Sequence, residues 1–142
     1  MMLIICCPNH ELNRDPVLRS EVAGYFEAAG RQYDVPPTLL VYWYYRESSL
    51  TTGVIGKLGE VGYAQVHGIA RRTCEDGGYD PTTRRGGIYC GAMLMDEGRR
   101  YCGTLERGLV WYASGSCVGT EKTRKKIKQR LRAWRNKTGG KK

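Results

Sequence analysis

The residue whose type and place suggest chemistry is Glu47. It closes the run Leu39-Leu40-Val41-Tyr42-Trp43-Tyr44-Tyr45-Arg46, a segment that seeks burial nearly all round. A carboxyl at the end of a buried helix, beside aromatic rings, loses more solvation as an anion than as an acid, so its proton is held toward neutral pH. In that state it can protonate a glycosidic oxygen. Turned to bulk solvent, the same side chain would do no chemistry, and these residues alone leave both readings open. Glu60 is the second carboxylate within reach in sequence, set among Gly56, Gly59 and Gly62. Two acids would suit a retaining or inverting glycosidase. A carboxylate in so tight a turn also accepts backbone N–H groups, which favours a structural part for Glu60.

Metal chemistry finds little support. The cysteines fall at 6, 7, 74, 90, 102 and 117, no Cys-x-x-Cys occurs, and His10 and His67 lack ligand spacing to any cysteine pair. No cofactor is expected. Cys74, Cys90, Cys102 and Cys117 allow three pairings; one or two disulfides or free buried thiols both fit the spacing. The bias to Tyr (10) and Trp (3) over Phe (1) suits a cleft that stacks on a ligand and hydrogen-bonds to it, and an ordinary core equally.

The elements that must position Glu47 are mostly helical, and 142 residues suffice for one domain. Asp15-Pro16 reads as an N-cap and first helical residue, and Leu18, Val22, Tyr25 or Phe26, Ala29 and Tyr33 continue at helical spacing. Asp34-Val35-Pro36-Pro37 breaks that helix and opens the next, which ends near Ser48. Glycines at 53, 56, 59, 62 and 68 cut residues 51–68 into pieces too short for helix; loops with a small two- or three-stranded ribbon are expected. Further helices are predicted over about 68–74, 83–101 and 105–114, with Gly115 as a stop. Ile127, Leu131 and Trp134 stripe a last helix whose other faces are basic, and the final six residues are expected to be disordered. There are no internal repeats.

In order, Glu47-Ser48, Gly62-Tyr63-Ala64-Gln65, Gly87-Ile88-Tyr89-Cys90-Gly91-Ala92-Met93-Leu94 and Tyr112-Ala113-Ser114-Gly115 resemble the catalytic domain of the lytic transglycosylases. These are lysozyme-like enzymes that cleave peptidoglycan, and the likeness runs from about Val17 to Cys117. The family's Asn beside Ile is Gly87 here, and the Asn after the last Tyr is Ala113. The resemblance implies a mainly α, lysozyme-like α+β fold, a helical bundle with a small glycine-rich ribbon flanking a glycan cleft. It implies an N-terminal extension over 1–14, the transglycosylase domain over 15–119 and a basic segment over 120–142. Glu47 would protonate the bond oxygen between N-acetylmuramic acid and N-acetylglucosamine, then act as base on the muramic 6-hydroxyl, leaving a 1,6-anhydro end. Ser48, Tyr63, Gln65, Tyr112 and Glu60 would contact substrate, with Tyr112 within reach of Glu47. With Glu60 as a catalytic partner the chain would instead be a hydrolytic muramidase; with both departures costly, a peptidoglycan-binding module without activity.

The net charge of +9 belongs to the C-terminus. From Glu121 onward eleven Lys or Arg face one acid, leaving twelve basic and thirteen acidic residues before it. The near-neutral remainder argues against a fold that reads nucleic acid. The basic segment is expected as a solvated extension, as an amphipathic helix for an anionic envelope polymer or membrane surface, or, least favoured, as a nucleic-acid-binding tail. A monomer acting on peptidoglycan strands in the cell wall or periplasm is expected. Met1–Cys7 is apolar but short, without a basic start or cleavage site, and Leu3-Ile4-Ile5-Cys6 only faintly echoes a lipoprotein signal. Phage delivery or non-classical export would then carry the protein to its substrate.

Overall fold

The computed structural model describes residues 10–138. Cys6, Cys7 and the apolar start over Met1–Cys7 lie outside that range. So do residues 139–142 of the predicted disordered end; Lys137 and Thr138 belong to a helix. The described residues are mainly helical: α1 (Glu11–Arg14), α2 (Pro16–Tyr33), α3 (Pro37–Ser48), α4 (Gly68–Asp76), α5 (Arg84–Cys102), α6 (Leu105–Ser114) and α7 (Glu121–Thr138). They form two compact units, Met1–Ala92 and Met93–Lys142.

In the first unit, the Asp15 side chain accepts the Leu18 N–H at 3.1 Å and caps α2. Val22, Phe26 and Ala29 are buried along one stripe, the face that packs on α3. Asp34 ends α2 in the left-handed region (φ 53°), and the Val35 N–H closes on the Gly30 carbonyl at 3.0 Å. Gly30 is required there, because a Cβ would lie 2.7 Å from both Pro37 Cγ and the Val35 oxygen. The turn is therefore tight enough to lay α3 against α2, where Phe26 and Tyr44 meet at 5.7 Å between ring centres. Leu39, Leu40, Trp43 and Tyr44 are all buried, each side chain contributing about 1.5–3 kcal/mol. Residues 51–67 carry only two antiparallel bridges, Ile55 with Val61 and Val61 with Val66. A disulfide joins Cys74 on α4 to Cys90 on α5.

Residues 10–14, set apart by sequence as part of an extension, are built into this unit. Leu12 is fully buried and Glu11 pairs with Arg84 at 3.0 Å.

In the second unit, Gly98 on α5 and Gly108 on α6 let the two backbones touch: a Cβ on Gly98 would lie 2.7 Å from the Gly108 oxygen. Thr104 Oγ1 caps α6 by accepting the Arg107 N–H at 3.1 Å, and Gly115 (φ 80°) stops it. Cys102 and Cys117 are bonded. The α7 stripe of Ile127, Leu131 and Trp134 is buried, and α7 packs on α6. The basic segment is thus neither a loose extension nor a helix with a free apolar face: hydrophobic burial anchors it in its own unit.

Candidate functional site

Glu47 occupies the penultimate position of α3 and is half-buried. The helix stops abruptly behind it. Ser49 and Leu50 are both left-handed (φ 55° and 53°), while the Ser49 N–H still reaches the Tyr45 carbonyl at 2.9 Å and the Thr51 N–H the Ser48 carbonyl at 3.1 Å. A leucine in this conformation costs roughly 1–2 kcal/mol; Leu50 is fully buried, and that burial offsets the strain.

A histidine clamps the turn from outside. His10 Nδ1 accepts the Leu12 N–H at 3.1 Å, so it carries no proton, and Nε2–H donates to the Ser49 carbonyl at 2.8 Å. The same ring therefore caps α1 and fixes the backbone two residues beyond Glu47.

One turn before Ser48, the Tyr44 hydroxyl donates to the Ile88 carbonyl on α5 at 3.0 Å. Gly91 makes the space: a Cβ there would overlap that hydroxyl. Ser48 itself is 5 % exposed, and its hydroxyl donates back to the Tyr44 carbonyl at 3.1 Å. That bond makes it a support of the helix end.

The ribbon is seated on the same helix a turn earlier. A Cβ on Gly62 (φ 76°) would overlap the Pro81 carbonyl, and one on Gly87 would lie 3.2 Å from that oxygen and 3.4 Å from the Tyr63 nitrogen. The 80–83 loop is stiffened by Asp80, whose Oδ1 accepts from Thr82 Oγ1 at 2.6 Å and Thr82 N at 2.9 Å. The Thr82 hydroxyl, then its N–H, hold the Asp80 carboxyl below the usual range. Tyr63, expected as a cleft residue, is 1 % exposed. Its ring belongs to the core because Gly87 leaves room for the Tyr63 backbone against α5. Burial pushes the Tyr63 hydroxyl up to about 12, partly opposed by the neighbouring Arg84 guanidinium.

Gln65 is half-buried and left-handed (φ 51°). Its Nε2 donates to the Gly62 carbonyl at 2.9 Å and the Val54 carbonyl at 3.0 Å, tying two segments of the bridged, glycine-rich stretch together. Glu60 holds the neighbouring turn, accepting the Leu58 N–H at 2.7 Å. Its own N–H, then that of Leu58, keep its carboxyl below the usual range. Tyr112 is half-buried on α6, in the second unit.

The structure thus fixes the helix of Glu47 and the segment of Gln65 to one short stretch of α5, over Gly87–Gly91. Sequence reasoning missed the His10 clamp and the Glu11–Arg84 pair. Their only advance signal was Leu12, a lone apolar residue between Asn9 and Asp15. Among the described residues no group of three or more His, Cys, Asp or Glu could hold a metal ion, and no helix is long and apolar enough to cross a membrane. Comparison of the chain with protein-family models, curated proteins and solved structures finds no match.

Proposed function

We propose that this chain is a lysozyme-like peptidoglycan lytic transglycosylase in which Glu47 is the one general acid and base. The observation that carries this reading is where the backbone is strained. Of the four non-glycine left-handed residues among those described, Ser49 and Leu50 directly follow Glu47-Ser48 and a third is Gln65. Such strain persists where surrounding structure over-determines it, and it clusters at functional sites. A half-buried carboxyl on a helix end held this firmly is suited to proton transfer, which demands placement before acidity.

Glu47 donates its proton to the oxygen between N-acetylmuramic acid and N-acetylglucosamine as the bond to the muramic anomeric carbon breaks. The cation-like centre is stabilised by the substrate's own 2-acetamido group. The Glu47 carboxylate then takes the proton of the muramic 6-hydroxyl as that oxygen closes on the anomeric carbon. The product ends in 1,6-anhydro-muramic acid, and no water enters.

Glu60 favours this route over hydrolysis. A second carboxylate acting on water has to be poised over the sugar, whereas that of Glu60 is engaged by the backbone of its own turn. Ser48, Tyr63 and Gln65 act as supports of the site through the bonds and packing described above.

Purified peptidoglycan digested with the chain should release muropeptides with anhydro ends by mass analysis. Reducing ends would assign a muramidase instead. Glu47→Gln should fold normally and release neither; cleavage that survives this substitution would remove the enzyme reading altogether.

A further inference from the structure

We propose that the exposed face of α7 is a docking surface for a linear phosphodiester polymer of polyol units, a wall-type polyanion. The docking face stands on the charge and packing of α7, while the choice of a wall polymer as occupant rests on the glycan-cleaving reading. The binding test below needs no cleavage, so the two can fail separately.

Nine of the residues from Glu121 to Thr138 are Lys or Arg, against Glu121 alone as acid. They are not equivalent. Arg124 is occupied by its own unit, its Nη1 donating to the Val118 carbonyl at 2.8 Å and the Gly119 carbonyl at 3.2 Å. Arg130 is buried at 8 % exposure. At about 100° per residue, Lys125, Lys128, Arg132 and Arg135 fall within one narrow arc, and all four are exposed. No ion pair among the described residues engages them. The opposite flank, Lys122, Lys126 and Lys137, is interrupted where Arg130 turns inward.

The continuous row covers about 15 Å of helix in steps of about 4.5–6 Å. That spacing suits a chain in which a short polyol separates each phosphate from the next. Gln129 and Asn136 are exposed beside the row and offer hydrogen bonds to polyol hydroxyls.

Two observations select this occupant among polyanions. A bilayer is normally entered by the apolar face of such a helix, but Ile127, Leu131 and Trp134 are buried in the unit. The bonds Cys74–Cys90 and Cys102–Cys117 belong to an oxidising compartment, where envelope polymers are the ordinary polyanions and nucleic acids are not.

The test is fluorescence anisotropy of labelled, lipid-free poly(glycerol phosphate) titrated with the full chain. Four neutralised phosphates on a flexible polymer predict roughly a 50-fold loss of affinity from 50 to 200 mM salt. The combined variant Lys125→Gln, Lys128→Gln, Arg132→Gln and Arg135→Gln should nearly abolish both the binding and its salt dependence. The variant Lys122→Gln, Lys126→Gln and Lys137→Gln should keep most of each. Amide exchange of the unaltered chain, with and without polymer, gives a second readout that needs no variant: added protection should centre on residues 125–135. Wild-type affinity in the four-site variant, or protection elsewhere, overturns the proposal. Tighter binding to duplex DNA assigns the face to nucleic acid, and tighter binding to phosphatidylglycerol vesicles assigns it to a membrane; either outcome overturns it too.

Discussion

Substituting alanine at Gly91 and at Gly24 should change stability in opposite directions, although both glycines are inside helices. Alanine is the better helix former by about 1 kcal/mol, so propensity alone stabilises both variants. At Gly24 nothing lies within 4 Å of the added Cβ, and Gly24→Ala should gain about 0.5–1 kcal/mol. At Gly91 the Cβ falls on the Tyr44 hydroxyl and within 2.9 Å of Tyr44 Cε1. Overpacking of this kind costs about 1–3 kcal/mol, and the Tyr44–Ile88 hydrogen bond, worth about 1 kcal/mol, is lost with it. Gly91→Ala should therefore destabilise by about 1–3 kcal/mol net. Urea midpoints at unchanged m-value measure both effects. Tyr44→Phe removes the atom that collides first, so the double variant should be more stable than the two single losses added together, by at least about 0.5 kcal/mol. Because Tyr44 lies one turn before Ser48, Gly91→Ala should also lower glycan cleavage under conditions where it remains folded. If Gly91→Ala matches or exceeds the stability of the unsubstituted chain, Tyr44 is not locked into α5 and the account of how Glu47 is held fails.

Tyr63 should titrate near pH 12, well above an ordinary tyrosine, in an ultraviolet titration that Tyr63→Phe shortens by one group. A folded pKa raised above 10.0 favours the neutral phenol, so its contribution to stability is complete below pH 10 and fades as pH rises toward 12; full ionisation of all tyrosines near pH 10 in the folded chain would contradict its burial. The bonds Cys74–Cys90 and Cys102–Cys117 span sequence separations of 16 and 15, and loop closure assigns each about 3 kcal/mol. Replacing Cys102 and Cys117 together by Ser should lower the urea midpoint accordingly, and no change would show that the bond constrains nothing. His10→Ala should cost about 1–2 kcal/mol through the lost cap and the lost bond to Ser49. His10→Asn can cap α1 without reaching Ser49, so it should restore only the capping share of the stability and not cleavage; full recovery of both would leave the clamp without a part in the site.

The helices were legible because local chemistry fixes their ends. Asp15-Pro16, the Pro36-Pro37 break and Gly115 act within a turn of where they stand, and the structure places helix ends at each. The stripe of Ile127, Leu131 and Trp134 was legible as amphipathic, yet its partner was not: periodicity shows that a face needs covering, not whether lipid or α6 covers it. Residues 10–14 failed for the opposite reason. Four helical residues give no period to read, and Leu12, His10 and Glu11 acquire their meaning only through partners 39 to 73 residues away. At the candidate site, Glu47 and the glycine-rich stretch stood out by composition. The inward turn of Ser48 onto the Tyr44 carbonyl and the burial of Tyr63 did not, since a side chain's direction at a helix end and the close approach of backbones at Gly62 and Gly87 leave no pattern in the sequence.

Those glycines bear on what a one-carboxyl site requires. An enzyme with two acids can divide the work of proton donation and nucleophile activation between them. With one acid serving both steps, the same oxygen atoms must face the bridging oxygen first and the 6-hydroxyl next, so an error in the position of the helix end harms both steps. Rigid seating of α3 then matters more than any additional charge. In this chain the seating comes from a contact that admits no side chain, the Tyr44 hydroxyl over Gly91, and from the close approach of the Tyr63 backbone to Gly87. At Gly87, where the resemblance leads one to expect asparagine, a larger residue would have to push against the Tyr63 backbone and the Pro81 carbonyl, 3.4 and 3.2 Å from its Cβ. On the proposed reading, glycine at this position exchanges a polar side chain for a closer approach of the backbone to Tyr63.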